Sequence, residues 1–326
     1  MLRRDYLQGL ASSLLMASWP FAEALAQPMS WPAKPVRWIV PFPAGGTSDL
    51  LSRLMATELA KSWGQPVVVD NKPGAGTVIG VDLAAKSPAD GYTLVCIANS
   101  YCANQTLVKN LPYEARDLRP VGLLAISDHV LVTNPNIGIK SLSDLLSIAK
   151  KNPGKISYAS FGNGTSSHLA GAMLASQANL DLIHVPYKGQ APAMNDLMGG
   201  QVHLMFGNWS EMRHQVRSGK LVPLGMATAK RSVQAGDIPT LTEQGLPLES
   251  NSWFGVLTRA GVADEVVLKL NQEINKALQS ANLVQALHEG SMQSLANTPE
   301  RFADFIKSET EKYAKVIRQA HISLEG

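Results

Sequence analysis

Residues 36–59 decide the fold, and they read VRWIVPFPAGGTSDLLSRLMATEL. The first five residues form a short apolar strand pattern that stops at Pro41, and a Gly-Gly turn follows shortly after it. Leucine and methionine then recur four residues apart from Leu51 to Leu59, which is the spacing of one helix face. A strand that passes through a glycine turn into a helix predicts an α/β fold with parallel strands.

The same order of elements recurs along the chain. Further strand patterns lie at 67–69, 92–98, 129–133, 155–161, 183–186, 201–206, 221–228 and 253–258. Most of them are followed by helical patterns, and the last third adds two helices at 264–278 and 299–320. We therefore predict two lobes, each a mostly parallel sheet flanked by helices. Lobe 1 takes residues 27–128 plus 250–326, and lobe 2 takes residues 129–249.

The first residues are typical of an export signal. An arginine pair at 3–4 precedes a short apolar run at 10–21, and the Ala-Leu-Ala sequence at 24–26 fits a signal-peptidase site. The motif RRDYLQ, which begins at the arginine pair, also resembles a twin-arginine signal. Export by the Sec route and export by the twin-arginine route therefore both stay open. We predict that residues 1–26 are removed near Ala26. No later run is long and apolar enough to cross a bilayer, which predicts a soluble mature protein.

Composition argues against several classes of protein. The formal net charge is +3 with dispersed lysines and arginines, which disfavours nucleic-acid binding. Two cysteines, Cys96 and Cys102, are too few for a disulfide scaffold or a metal site, so we expect free thiols. The glycines at 74–80 have one residue too many for a dinucleotide fingerprint, and the strand at 92–98 ends without an acidic residue. We predict no cofactor and no metal.

Three turns place backbone amides between a strand and a helix. They lie at 45–48, 99–101 and 162–167. A helix N-terminus offers unpaired N–H groups and a partial positive charge, and ligands of α/β sheets bind beyond the carboxyl ends of strands. Two such turns on opposite lobes would hold a carboxylate across a cleft. The alternative is that each is an ordinary cap or tight turn.

Several segments resemble the Bug/TctC family, the solute receptors of tripartite tricarboxylate transporters. In chain order, the matching segments are 41–49, 64–76, 88–94, 158–171, 184–189 and 199–208. The resemblance runs from about residue 31 to residue 258 and more loosely to the end. Each motif alone is modest, but their order and spacing together are specific.

The resemblance implies a two-lobed, type II-like periplasmic binding protein that closes over a small organic acid and is not an enzyme. It implies delivery from the periplasm to the membrane permease subunits of a tripartite tricarboxylate transporter. We also expect a monomer, and from its charge a protein that binds no nucleic acid. Carried over residue by residue, it implies ligand contacts from Phe42, Ala44, Gly45, Thr47, Asp49, Asn99, Ser100, Tyr101, Gly162, Thr165, Ser166, Ser167, His168, Ala191 and Asn208.

Two departures from the family pattern bear on ligand choice. The turn that carries Tyr101 and Cys102 is one residue short, and Gly207 stands where the family often has aspartate. The turns at the predicted site carry no arginine, which disfavours a densely charged ligand held by bidentate clamps, although Arg213 or Arg259 could reach in from the side.

Two other functions remain as alternatives to transport. One is a partner that presents its ligand to a membrane signalling protein. The other is an exported hydrolase that uses Ser166 or Ser167 with His168. Adjacent side chains of one helical turn point apart, which argues against that serine–histidine pair.

Overall fold

The computed structural model describes residues 31–323 except Val233 and Leu295. The predicted export signal and its cleavage point lie outside the described residues. The chain from Pro32 onward forms one unit.

Strands and helices alternate through most of that unit. The strands are β1 (Val36–Val40), β2 (Val67–Asn71), β3 (Thr93–Ala98), β4 (Leu118–Thr133), β5 (Ile156–Ser160), β6 (Leu182–Pro186), β7 (Leu204–Asn208), β8 (Val222–Met226), β9 (Asn251–Arg259) and β10 (Met292–Gln293). The helices are α1 (Thr47–Trp63), α2 (Val78–Ala85), α3 (Asn99–Leu107), α4 (Leu142–Lys151), α5 (Ser166–Ala178), α6 (Gln190–Met198), α7 (Trp209–Arg217), α8 (Asp264–Leu278), α9 (Ala281–Glu289) and α10 (Pro299–Gln319).

The strands follow the order β2-β1-β3-β9-β4-β7-β5-β6, with β8 and β10 also paired to β4. Strands β2, β1 and β3 are parallel, as are β7, β5 and β6. The long strands β9 and β4 run antiparallel to their neighbours and join the two parallel groups. The fold is therefore a mixed α/β arrangement in which each parallel group has helices at its strand ends.

Strand β4 belongs to two sheets. Its first part pairs with β9 up to Asp128, and from His129 onward it pairs with β7 and β8. We call the sheet on the β9 side the first sheet and the other the second sheet. Only residues 129–133 were predicted as strand, because Pro120 and Gly122 interrupt the earlier part and the register shifts there.

The C-terminal helix returns to the first sheet. The ring of Phe302 on α10 meets the ring of Trp253 on β9 edge to face, with 6.1 Å between centroids. A Cβ on Gly255 would lie 2.1 Å from the Phe302 ring, so only glycine allows this close approach. The indole of Trp253 donates a hydrogen bond of 2.9 Å to Glu309. Burial of Phe302 contributes about 3 kcal/mol and holds β9 in place beside the site.

Candidate ligand-binding site

Five helices begin at one pocket between the two sheets. Each of α1, α3, α5, α6 and α7 is the next helix after a strand, at once or after a short turn, so their first turns meet at the carboxyl ends of β1, β3, β5, β6 and β7. The pocket has a cavity volume of about 110 Å³. Its walls consist of Phe42, Pro43, Ala44, Gly46, Thr47, Ser48, Ala98, Asn99, Ser100, Phe161, Thr165, Ser166, Lys188, Gly189, Gln190, Ala191, Pro192, Asn208, Glu211, Ser252 and Phe254.

The helices at the pocket are not capped by their own side chains. Their N-cap residues, none of which makes a side-chain capping hydrogen bond, are Gly46, Ala98, Thr165, Gly189 and Asn208. Away from the pocket, α2 and α8 also lack such a cap, but α4, α9 and α10 are capped by Ser141, Ser280 and Thr298. The first-turn amides at the pocket are thus left for other acceptors, and the helix dipoles add positive potential there.

Many of the predicted contact residues line this pocket. They are Phe42, Ala44, Thr47, Asn99, Ser100, Thr165, Ser166, Ala191 and Asn208. The structure places the remaining predicted residues, Gly45, Asp49, Tyr101, Gly162, Ser167 and His168, outside the pocket wall. Several of these support the residues that do line it.

Asp49 lies behind the first glycine turn. Its carboxylate accepts hydrogen bonds from the Gly45 amide at 3.0 Å, from Asn71 at 2.9 Å and from Arg53 at 3.1 Å. Burial raises the pKa of Asp49, but these hydrogen bonds outweigh burial, and the pKa lies below its ordinary value. Asp49 therefore stays ionised and holds the turn that positions the start of α1.

Tyr101 is a core residue. Its side chain is buried in the apolar cluster beneath the first sheet, where its ring stacks parallel to that of Tyr113 with 6.4 Å between centroids. The neighbouring Cys102 is buried in the same cluster. The side chains of Tyr101 and Cys102 therefore pack behind the pocket and do not form its wall.

His168 supports the second glycine turn from behind. Its Nδ1 accepts the Gly164 amide at 3.1 Å, so that nitrogen carries no proton. The ring stacks on the ring of His184 with 3.9 Å between centroids. His184 Nε2 in turn lies 2.7 Å from the Ser160 hydroxyl and hydrogen-bonds it. Burial lowers the pKa of His168 to about 4, so the imidazole is neutral near pH 7.

Ser167 and Gly162 belong to the same supported turn. The Ser167 hydroxyl accepts the Phe161 amide at 2.9 Å, which fixes the exit of β5. Gly162 has a φ of 134°, and a Cβ there would lie 3.2 Å from the Tyr187 carbonyl oxygen. Gly162 borders a second cavity of about 390 Å³ that adjoins the pocket. The two cavities share Phe42, Pro43, Phe161, Thr165, Lys188 and Gly189.

A hydroxyl and imidazole cluster crosses the base of the pocket. His129 Nε2 lies 3.0 Å from the Ser252 hydroxyl and 3.3 Å from the Ser166 hydroxyl, and these two hydroxyls are 2.9 Å apart. Its Nδ1 lies 3.0 Å from the Ser250 hydroxyl. Sequence reasoning missed His129 and Ser252 because no local motif marks them. They meet Ser166 only where β4 and β9 pass the start of α5.

Glu211 is a buried acid in the pocket wall, and the sequence reasoning missed it too. Its Oε1 accepts hydrogen bonds from the Thr47 amide, at 3.2 Å, and from the Thr47 hydroxyl. The Asn208 side-chain amide donates to that same hydroxyl at 3.3 Å. Burial raises the pKa of the Glu211 carboxyl. These bonds tie α1 to α7, and Glu211 was recognisable as an acid three residues after the predicted contact Asn208.

The site lacks the parts of a serine hydrolase. The predicted base His168 hydrogen-bonds a backbone amide and not a serine. His129 does approach Ser166, but Ser250 stands where a triad needs a carboxylate, and burial lowers the pKa of His129 to about 3. Such an imidazole is a poor base near pH 7. Over residues 31–323, with the two gaps, no group of His, Cys, Asp and Glu is arranged to hold a metal ion.

The family model of the tripartite tricarboxylate transporter family receptor, TctC, matches residues 51–322. The chain belongs to this family. Protein BugT of Bordetella pertussis is 36% identical over 308 residues, which cover 92% of this chain and 94% of BugT. The resemblance seen in the motifs is confirmed.

Two solved structures have the same fold as this chain. R. palustris Rpa4515 with adipate has a TM-score of 0.86 at 32% identity, covering 90% of this chain and 99% of that one. MatC (Rpa3494) from Rhodopseudomonas palustris with bound malate has a TM-score of 0.82 at 28% identity, covering 88% and 99%. The periplasmic binding protein fold is thereby confirmed, and this TctC receptor is a solute-binding protein and not an enzyme. None of its described helices combines the length and apolar character needed to span a membrane.

Proposed function

We propose that this receptor captures a small organic carboxylate in the pocket and delivers it to the permease subunits of a tripartite tricarboxylate-type transporter. The observation that carries the proposal is the meeting of five helix N-termini whose N-cap side chains do not cap the first-turn amides. Glu211 takes the Thr47 amide of α1, and the other four termini offer their amides to a ligand. Each such terminus favours an anion by about 0.3–1 kcal/mol, and by more where the geometry is partly buried. The adipate and malate bound to the two structural relatives support the same ligand class.

The capture step needs a cleft that opens and closes. We place the lobes at residues 27–128 plus 250–326 and at residues 129–249, with the passage of β4 between sheets at Asp128 and His129 as support. Thr47 of the first lobe meets Glu211 and Asn208 of the second across the pocket. Bending where the chain crosses between the lobes would open the pocket.

We propose a periplasmic location, which the family and the predicted signal support. A receptor that serves a membrane permease works in the periplasm, and residues 1–26 would direct it there before removal near Ala26. We propose that it acts as a monomer.

Binding is tested first by thermal shift and calorimetry on the mature protein with a library of small organic acids. A ligand that binds only the folded state raises the melting temperature. The matched variants are Ala191→Trp, which fills the pocket from an exposed wall position, and Ala281→Trp, which sits at an exposed position on α9. We expect Ala191→Trp to raise Kd about tenfold or more while Ala281→Trp binds normally.

The outcomes test the class of ligand and the location of the binding site separately. If sugars or amines shift the melting temperature and acids do not, the carboxylate proposal fails. If Ala191→Trp binds the acid as tightly as the natural protein, the acid binds elsewhere.

Delivery is tested by uptake of the identified acid. Cells that carry the permease subunits should take up the acid only when this receptor is present in the periplasm. A receptor-dependent signalling response without receptor-dependent uptake would refute the transport role and favour a sensor partner.

A further inference from the structure

Glu211 already occupies one of the anion-binding positions of the pocket. Its carboxyl group accepts both the amide and the hydroxyl of Thr47, the residue at the start of α1. Among the described residues, no lysine, arginine or histidine forms an ion pair with it. A ligand carboxylate is therefore left with the amides of the other helices, and a second negative charge near α1 would face Glu211.

Two amide side chains beside Glu211 carry polar atoms without partners. Asn208 is 4% exposed and Gln190 is 5% exposed. Asn208 Oδ1 and Gln190 Nε2 have no hydrogen-bond partner. Gln190 Oε1 accepts the Asn208 backbone amide at 3.1 Å, which sets the orientation of the Gln190 amide group. The Asn208 side-chain nitrogen donates to Thr47, which leaves its oxygen as the unpaired acceptor.

An unpaired buried acceptor is costly, so a ligand that supplies a donor should bind roughly five- to a hundredfold more tightly than one that does not. Asn208 Oδ1 is such an acceptor, and the Glu211 carboxyl group lies on the same side of the pocket. Burial without a cation raises the pKa of the Glu211 carboxyl, and a positive charge that a ligand brings beside it would favour the ionised form. Both features favour a hydrogen-bond donor at this end of the ligand.

We propose that Glu211 and Asn208 make the pocket selective for a monocarboxylate whose other end carries a hydrogen-bond donor, an ammonium or a hydroxyl, over the dicarboxylate of the same length. This inference rests on the proposed function. The ligand carboxylate takes the first-turn amides of α3 and α5, where Ser100 and Ser166 line the wall. The donor end lies against Asn208 Oδ1 and Glu211, with Gln190 Nε2 available to an acceptor on the same ligand.

The test uses ligands matched in chain length. Calorimetry compares straight-chain acids of three to six carbons that end in a carboxylate, an amine or a hydroxyl. Two carboxylates held a few ångströms apart in a protein repel when both are ionised, so the best donor-bearing acid should bind roughly a hundredfold more tightly than the dicarboxylate of its length.

Glu211→Gln removes the charge and keeps an oxygen for the Thr47 amide. We expect this variant to lose about tenfold or more of its affinity for the amino acid ligand and to gain affinity for the dicarboxylate. Glu249→Gln, at an exposed position, is the matched control. Asn208→Asp is a second variant that adds charge at the same end, and it should widen the preference against dicarboxylates.

Three results would overturn the inference. One is natural protein that binds the dicarboxylate as tightly as the donor-bearing acids. Another is a Glu211→Gln variant whose affinity changes by the same factor for the carboxylate-, amine- and hydroxyl-ended acids. The third, failure of every carboxylate to bind the natural protein, overturns the proposed function itself and is thus distinguishable from the first two.

Discussion

His129 should make the stability of this receptor depend on pH in a measurable way. The ring is fully buried, with serine hydroxyls at both nitrogens and no carboxylate. Burial disfavours the charged form and lowers the pKa of His129 from 6.5 to about 3. Because the folded pKa is depressed, the unfolded chain binds the proton first as pH falls. The contribution of His129 to stability is therefore complete above the unfolded pKa and is lost as pH falls below it.

The magnitude follows from the two pKa values. At about pH 5, the pH lies roughly 1.5 units below the pKa of the unfolded imidazole, which is therefore protonated, while the folded imidazole is still neutral. Each pH unit of that difference lowers the free energy of unfolding by about 1.4 kcal/mol. The loss between about pH 7.5 and pH 5 is then about 2 kcal/mol, a large part of an ordinary stability of roughly 5–15 kcal/mol. The raised carboxyl pKa values of Glu211 and Asp128 act in the opposite direction, so only a difference between proteins isolates His129.

Urea unfolding of the natural protein and of His129→Gln over this pH range measures that difference. Glutamine can donate and accept hydrogen bonds but does not titrate, so the variant should lose about 2 kcal/mol less on acidification. His288→Gln, at an exposed position of α9, is the control for the loss of one imidazole. If His129→Gln shows the same loss as the natural protein, the buried ring is not held neutral and the reasoning is refuted.

Three further predictions concern packing, thiols and capping. Gly171→Ala should lower the free energy of unfolding by about 1–3 kcal/mol, because the new Cβ would lie 2.1 Å from a ring carbon of Tyr158; an unchanged urea midpoint would contradict this. Cys96 and Cys102 should resist a thiol reagent in the native state and react after unfolding, because both are buried and burial raises each pKa to about 12; rapid native labelling would show that one is accessible. Ser141→Ala should cost about 1 kcal/mol in urea unfolding, since its hydroxyl accepts an amide of α4 at 3.0 Å, and a negligible cost would mean that water replaces the cap.

Local patterns were enough for many elements. The helix predicted at 264–278 is α8 residue for residue, and the strand predicted at 36–40 is β1. Both have a repeating apolar pattern and clear boundaries such as Pro41, so neighbouring residues alone determine them. The helix α9 was missed, because its short segment follows α8 with only a brief break.

The site shows where local reasoning ends. The sequence by itself determined that glycine and hydroxyl turns precede α1 and α5 and that the chain has the motifs of a TctC receptor, because these features lie within a few neighbouring residues. It did not determine which turn residues line the pocket: Asp49 and His168 lie behind the wall, where each accepts a backbone amide. Only the tertiary structure brought Ser252 to Ser166 and Glu211 to Thr47. Each of these contacts joins residues more than eighty positions apart, and their distance depends on how β4 and β9 cross between the two sheets, which no local pattern encodes.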